Sequence, residues 1–250
     1  MSELDLRRLF VNIRRESRSS VSVDDLTSDF HGCCIKAAVA KCIDFNITIN
    51  RKRKTSEEAF VLLAGLRSIC EDLIVLRYLA TVSKPLRQGY LIAMLDLNRE
   101  QSIAAQHAFF KANNPLQPVI GAGLTDDQID ARVAQVRERF RTAASRLGSA
   151  RRDGPTVFDM AEQIGLRSTY RFMYFLASNF VHFTPQALMR MGWSGVETGP
   201  FTFNLRSMSP YYKVLASFYG AILFIGFYAG FQDVFSKQSS VAFKVAALEK

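Results

Sequence analysis

From Val214 to Gln232 the chain carries no charged side chain: VLASFYGAILFIGFYAGFQ. A helix of this composition has two stable settings. It can cross a bilayer, which takes about 20 apolar residues, and Gly226 with Gly230 supplies the GxxxG spacing found where such helices pair. Alternatively it is the central helix of a bundle, apolar on every side because other helices surround it. The second setting is expected. Other segments are also unusually apolar and need something to pack on, and Ala216, Gly220, Ala221 and Gly226 suit close helix contact. The fold class expected is all-α: a bundle of about six to eight helices with a fully apolar C-terminal core helix.

The 250 residues can bury one large core, and 48 % hydrophobic against 22 % charged residues excludes wholesale disorder. Residues 1–23 are read as a basic N-terminal arm with Arg7-Arg8, Arg14-Arg15 and Arg18, and residues 24–250 as a single helical-bundle domain. Within the arm, Leu6, Leu9, Phe10 and Ile13 are spaced for a short amphipathic helix. The net charge of +9 permits binding to nucleic acid, acidic lipid or an acidic partner, without choosing among them. Arg51-Lys52-Arg53-Lys54 belongs in a solvated turn that could touch phosphates.

Cys33, Cys34, Cys42 and Cys70 form no CxxC pair and are read as reduced thiols of a cytoplasmic protein. The start, MSELDLRRLF, has no apolar core of signal-peptide length.

Helix signals follow in order. Residues 24–50 form the first long helix, with FNITIN expected to fray. Thr55 with Glu58 opens a helix over 55–82, Pro85 opens one over 85–112, and Thr125 with Gln128 opens another over about 125–147. The last of these is arginine-rich and sparse in aliphatic residues, so it is expected to be peripheral. A short helix begins near Thr156-Asp159. The residues around Trp193, 191–210, form a long irregular stretch that could act as a lid.

Two apolar helices each carry one polar line. On 55–82, Arg67, Glu71 and Tyr78 share a stripe, with Arg67 and Glu71 spaced to pair. On 170–183, whose composition is that of a buried helix, Arg171, Tyr174, Ser178 and His182 fall within about a quarter turn, with Asn179 beside them. A buried polar group without a partner costs on the order of 1–3 kcal/mol, so the lines are expected to face each other or a ligand. His182 is the proton-transfer candidate because imidazole titrates near neutrality. Glu71 would orient it, and Arg67 would hold a phosphate or a developing negative charge. Tyr78, Tyr174, Ser178, Asn179 and Arg171 are candidate binding residues. A polar network that only fixes helix register is the structural alternative.

His31, His107 and His182 form no ligand-spaced set, and neither a P-loop nor a GxGxxG is present. No metal and no cofactor is expected.

The patterns Arg67-x-x-x-Glu71 with Tyr78, and Tyr170 through Ser178-x-x-x-His182, resemble the bacterial family called domain of unknown function 5677, over roughly residues 30–235. That family is reminiscent of the HEPN superfamily, helical nucleases and toxins of phage-defence systems, which use an arginine followed four to six residues later by a histidine. Here Ser178 and Asn179 stand where the arginine is expected, Arg171 lies farther upstream, and Arg67 would supply the cation from another helix. The resemblance implies a metal-independent ribonuclease or toxin of a bacterial anti-phage or toxin–antitoxin system. RNA, another nucleic acid or a partner protein of such a system would be its counterpart. The alternatives are a non-enzymatic nucleic-acid- or protein-binding module, and a membrane-associated effector using helix 214–232. A homo-oligomer fits any of these.

Overall fold

The computed structural model describes residues 3–16, 29–51, 55–113, 123–148, 151, 154–181 and 209–235. All regular structure among them is helical: α1 (Glu3–Glu16), α2 (Phe30–Ile49), α3 (Thr55–Ala80), α4 (Lys84–Asn113), α5 (Asp126–Ser145), α6 (Val157–Gln163), α7 (Arg167–Val181), α8 (Ser209–Gly230) and α9 (Gln232–Phe235). Residues 52–54 of the basic turn and the lid expected around Trp193 lie outside the described residues, as do the side chains of Thr55 and Glu58.

α3 is the axis. Its apolar residues point in every direction, and α2, α6, α7 and α8 pack around it. Leu63, Leu66, Ile74 and Leu79 are completely buried there. Side-chain pairings fix the directions. Gly65 faces Phe45, and His31 reaches Leu76, so α2 runs antiparallel to α3. Gly226 lies on Leu73 and Gly230 on Arg77, so α8 runs parallel to it.

α8 approaches α2 through small residues, as its composition suggests. A Cβ on Gly220 would lie 2.7 Å from Asn46 Oδ1 and 2.9 Å from the Phe45 ring. A polar ladder runs through this contact. Asn46 Nδ2 donates to the carbonyls of Cys42 (2.9 Å) and Gly220 (3.0 Å). Asn50 Nδ2 donates to the Asn46 carbonyl (2.8 Å), and Ser217 Oγ donates to Asn50 Oδ1 (2.5 Å). Both asparagines are fully buried. The 45–50 stretch therefore does not fray. It is helical to Ile49, with Phe45, Ile47 and Ile49 in the core.

The opposite side of α8 is open. Tyr211, Val214, Phe218 and Ile222 are 37–64 % exposed. The apolar C-terminal helix thus forms one wall of the core while keeping one bare face. The described part of the 1–23 arm is docked rather than solvated: Phe10 and Ile13 of α1 are fully buried, and Phe10 meets Phe224 edge-on at 5.2 Å.

α4 and α5 form an antiparallel strap, joined by the Tyr90–Phe140 ring contact, the Glu100–Arg132 ion pair (2.9 Å) and the His107–Asp126 pair (2.8 Å). α5 buries only Ile129, Val136 and Ala144, consistent with its sparse aliphatic pattern. Its capping box at Thr125-Gln128 and that of α6 at Thr156-Asp159 are both formed. Gly165, at φ 73°, supplies the left-handed turn after α6 from which α7 starts back across α3. All four cysteines are free.

The contact at Gly220 predicts a contrast between two glycines. Gly220→Ala should destabilise the fold by about 1–3 kcal/mol, because the added methyl displaces Phe45 or Asn46. Gly89→Ala on α4, where a Cβ would meet nothing within 4 Å, should stabilise by about 0.5–1 kcal/mol. Urea unfolding of the two variants reads both values.

His31 gives the core a pH response. The ring is buried, its Nε2 lies 3.1 Å from the Leu76 carbonyl, and burial holds its pKa below the usual 6.5. The unfolded chain therefore takes up the proton first. Stability from this group is complete above about pH 6.5 and declines as the pH falls below it. His31→Gln, which keeps a donor for Leu76, should flatten the fall in melting temperature between about pH 7 and 5.

Candidate functional site

α3 presents Arg67 and Glu71 one helical turn apart, so both point to the same side, as the i,i+4 spacing requires. α7 crosses that side antiparallel, bringing Tyr170, Tyr174 and Ser178 over them. Arg67 is the centre. Its Nε donates to Glu71 Oε1 at 2.8 Å, its Nη1 to Ser178 Oγ at 3.3 Å, and its guanidinium carbon sits 4.4 Å from the centre of the Tyr174 ring. The hydrogen bond that Arg67 donates to Glu71 raises the Arg67 pKa further above its already high value. Arg67 is a permanently charged group held on three sides.

The seam is half-buried. The Arg67 and Glu71 side chains are 22 % and 30 % exposed. Burial first, and the Glu71 carboxylate second, push the Tyr170 hydroxyl pKa up, so it remains a protonated donor. Tyr174 is exposed on its outer side. Phe175 is 69 % exposed, and Arg171 is exposed on the same outward arc. Among described side chains of α7, only Met173 and Ala177 are buried. The helix expected to be buried is therefore a cover lying on α3, with apolar and aromatic side chains facing outward.

Four expected residues, Arg67, Glu71, Tyr174 and Ser178, are thus brought together. Tyr78 is not among them. It lies two turns beyond Glu71, is buried, and its hydroxyl donates to the Leu147 carbonyl at 3.3 Å. The stripe on α3 is long enough to serve two neighbours, and its far end serves the exit of α5. His182 and the side chain of Asn179 lie outside the described residues.

Two further polar groupings were not foreseen. Lys41 Nζ donates to Ser68 Oγ (2.6 Å) and to Asp72 (2.7 Å), tying α2 to α3 at the surface. His107 pairs with Asp126, which Lys111 also contacts. The signal for this was the capping box itself, because Asp126 is the first residue of the helix it opens. Among the described residues, no group of three or more His, Cys, Asp or Glu side chains could hold a metal ion.

A family model described as "Family of unknown function (DUF5677)" matches residues 38–197, well over half of the chain, and the protein belongs to that family. The matched range contains the whole α3–α7 seam, whereas α1 and α8 fall outside it. No curated protein and no solved structure matches the chain.

The partial exposure of the Arg67–Glu71 pair places it between a surface pair and a buried one. A double-mutant cycle with Arg67→Met and Glu71→Gln should give a coupling of about 1 kcal/mol. Glu71→Gln alone should lower stability more than Ser178→Ala does. Chemical denaturation of the wild type, the three cycle variants and Ser178→Ala measures both effects.

Proposed function

We propose that this member of the DUF5677 family handles single-stranded RNA on the outward arc of the α3–α7 seam, and that it cuts the strand it holds. One observation carries this: a fixed cation, Arg67, lies against the inner side of an exposed aromatic ring, Tyr174, next to exposed Phe175 and Arg171. Unpaired bases stack on exposed aromatic faces, and arginines beside those faces meet the phosphates that link them. A net charge of +9 draws a polyanion to the whole molecule.

Cleavage would use no metal. His182, four residues past Ser178, takes the proton of a ribose 2′-hydroxyl. The 2′-oxygen attacks the adjacent phosphorus, and the 5′-oxygen leaves, protonated by water or by the imidazolium. The products are a 2′,3′-cyclic phosphate and a 5′-hydroxyl. Arg67 offsets the charge that gathers on the phosphate, and Glu71 holds Arg67 in place for that purpose. Such a chain would act as a HEPN-like effector of a bacterial defence or toxin–antitoxin system.

A second reading, RNA binding without cleavage, is favoured by the engagement of Arg67 with Glu71 and Ser178. A guanidinium so occupied positions a strand more readily than it stabilises a transition state.

The test has two stages. Fluorescence anisotropy with a single-stranded RNA oligomer should show binding that weakens with salt. Phe175→Ser and Tyr174→Leu should each weaken it by about tenfold, in line with roughly 1–3 kcal/mol per stacked base. Unchanged affinity in both variants rules the site out. Incubation of RNA in EDTA should then give cyclic-phosphate ends, lost in His182→Ala, and no cleavage of DNA. Intact RNA with retained binding selects the second reading.

A further inference from the structure

The bare face of α8 is unlike the α7 arc. Tyr211, Val214, Phe218 and Ile222 follow one another at spacings of three and four residues, which sets them on one line of the helix. Phe172 of α7, 44 % exposed, extends the line sideways through its 4.9 Å ring contact with Tyr219. From Val214 to Gln232 there is no charged side chain, so Val214, Phe218 and Ile222 have no ion-pairing neighbour of their own stretch to offer a phosphate or a charged peptide.

We propose that this face is the contact surface for a second copy of the chain, with the two α8 helices packed antiparallel about a twofold axis. The proposal rests on different residues from the RNA site and stands or falls separately.

Three observations select a second copy. The first is self-complementarity. In a twofold contact the same patch meets itself, and an uncharged apolar stripe meets its own image without like charges facing each other. The second is area. Taking usual side-chain areas, the five residues leave on the order of 500 Å² of apolar surface exposed. A standard interface buries about 800 Å² per partner, of which about 60 % is apolar, so this stripe nearly fills that share. The third is register. With the axis on the open side, level with Gly220 along the helix, Phe218 of one helix lies across from Ile222 of the other. Tyr211 then meets the small Ala229 and Val214 meets Gly226, so two of the four large residues face small ones. The same arrangement brings the end carrying Lys213 towards the end carrying Asp233.

A bilayer is the competing occupant. Pro210–Gly230 is long and apolar enough to span one by length and composition. Crossing it would pull α8 off α2 and leave the buried Asn46 and Asn50 amides without Gly220 and Ser217, so the inner face argues against a span.

The experiment uses the full chain. Sedimentation equilibrium from about 1 to 100 µM should show a dimer. Val214→Glu should shift it to monomer, and so should the milder Phe218→Ser, both with a circular dichroism spectrum like that of the wild type. Phe218→Cys should be joined to its own copy by a short bis-maleimide. Tyr211→Cys should not, since its two copies would lie about 27 Å apart along the axis. The wild type serves as the control for the native thiols. A monomer at every concentration overturns the proposal, as does a dimer that both folded variants leave intact, or equal cross-linking at the two positions. A monomer that co-sediments with vesicles of mixed phosphatidylcholine and phosphatidylglycerol overturns it in favour of a lipid surface.

Discussion

The fold depends on how closely α8 can approach α2. At Gly220 the two helices come so near that a single methyl group would collide with both Asn46 and Phe45. That nearness lets the Asn46 amide reach the Gly220 carbonyl, and lets Ser217 reach Asn50. These bonds are made in the driest part of the molecule, where an unmade one costs on the order of 1–3 kcal/mol. They therefore set the register of α8 along α2 far more sharply than interchangeable apolar contacts could. With α8 fixed, Phe224 and Phe227 fall into the core, and α1 has a surface to dock on through Phe10.

α3 is held by the same logic on its other flank. It is packed against α2, α6, α7 and α8, yet on the side facing α7 it carries Arg67 and Glu71. α7 resolves this by covering them incompletely. Ser178 and the ring of Tyr174 contact the guanidinium, and the seam stays open enough that neither charge is wholly removed from water. Full burial would have imposed a desolvation cost exceeding the attraction of the pair. The half-open arrangement keeps Arg67 charged, tied to Glu71 and Ser178, and close to the surface, which are the properties a phosphate-handling cation needs.

Much of this was legible in the sequence, for identifiable reasons. Helix spacing, capping boxes and the uncharged C-terminal run are local signals, and the helices lie where those signals place them. The Arg67–Glu71 pair and its meeting with Tyr174 and Ser178 followed from polar residues being costly on apolar helices. The same rule, applied to Asn46 and Asn50, would have exposed the ladder on α2. The β-branched residues around them point instead to fraying, and burial of Ile47 and Ile49 overrides that propensity. The exposure of Phe172 and Phe175 was not legible at all. Composition tells how apolar a helix is, but only the placement of its neighbours decides which side they cover.

That last point separates the two outward surfaces. α7 and α8 both display large aromatic side chains to solvent, and neither display helps a monomer to fold. The difference lies in what surrounds the rings. On α7, Tyr174 is backed by Arg67 and flanked by Arg171, so anything stacking there also meets positive charge. On α8, Tyr211, Val214, Phe218 and Ile222 stand in a stretch where all the charge is at the ends. A polyanion gains from the first surface and loses hydration at the second without recompense. An uncharged mate does the reverse, because covering Arg67 and Arg171 with apolar atoms would strip water from two cations. The charge around each display therefore favours an anionic ligand at the first surface and an uncharged one at the second.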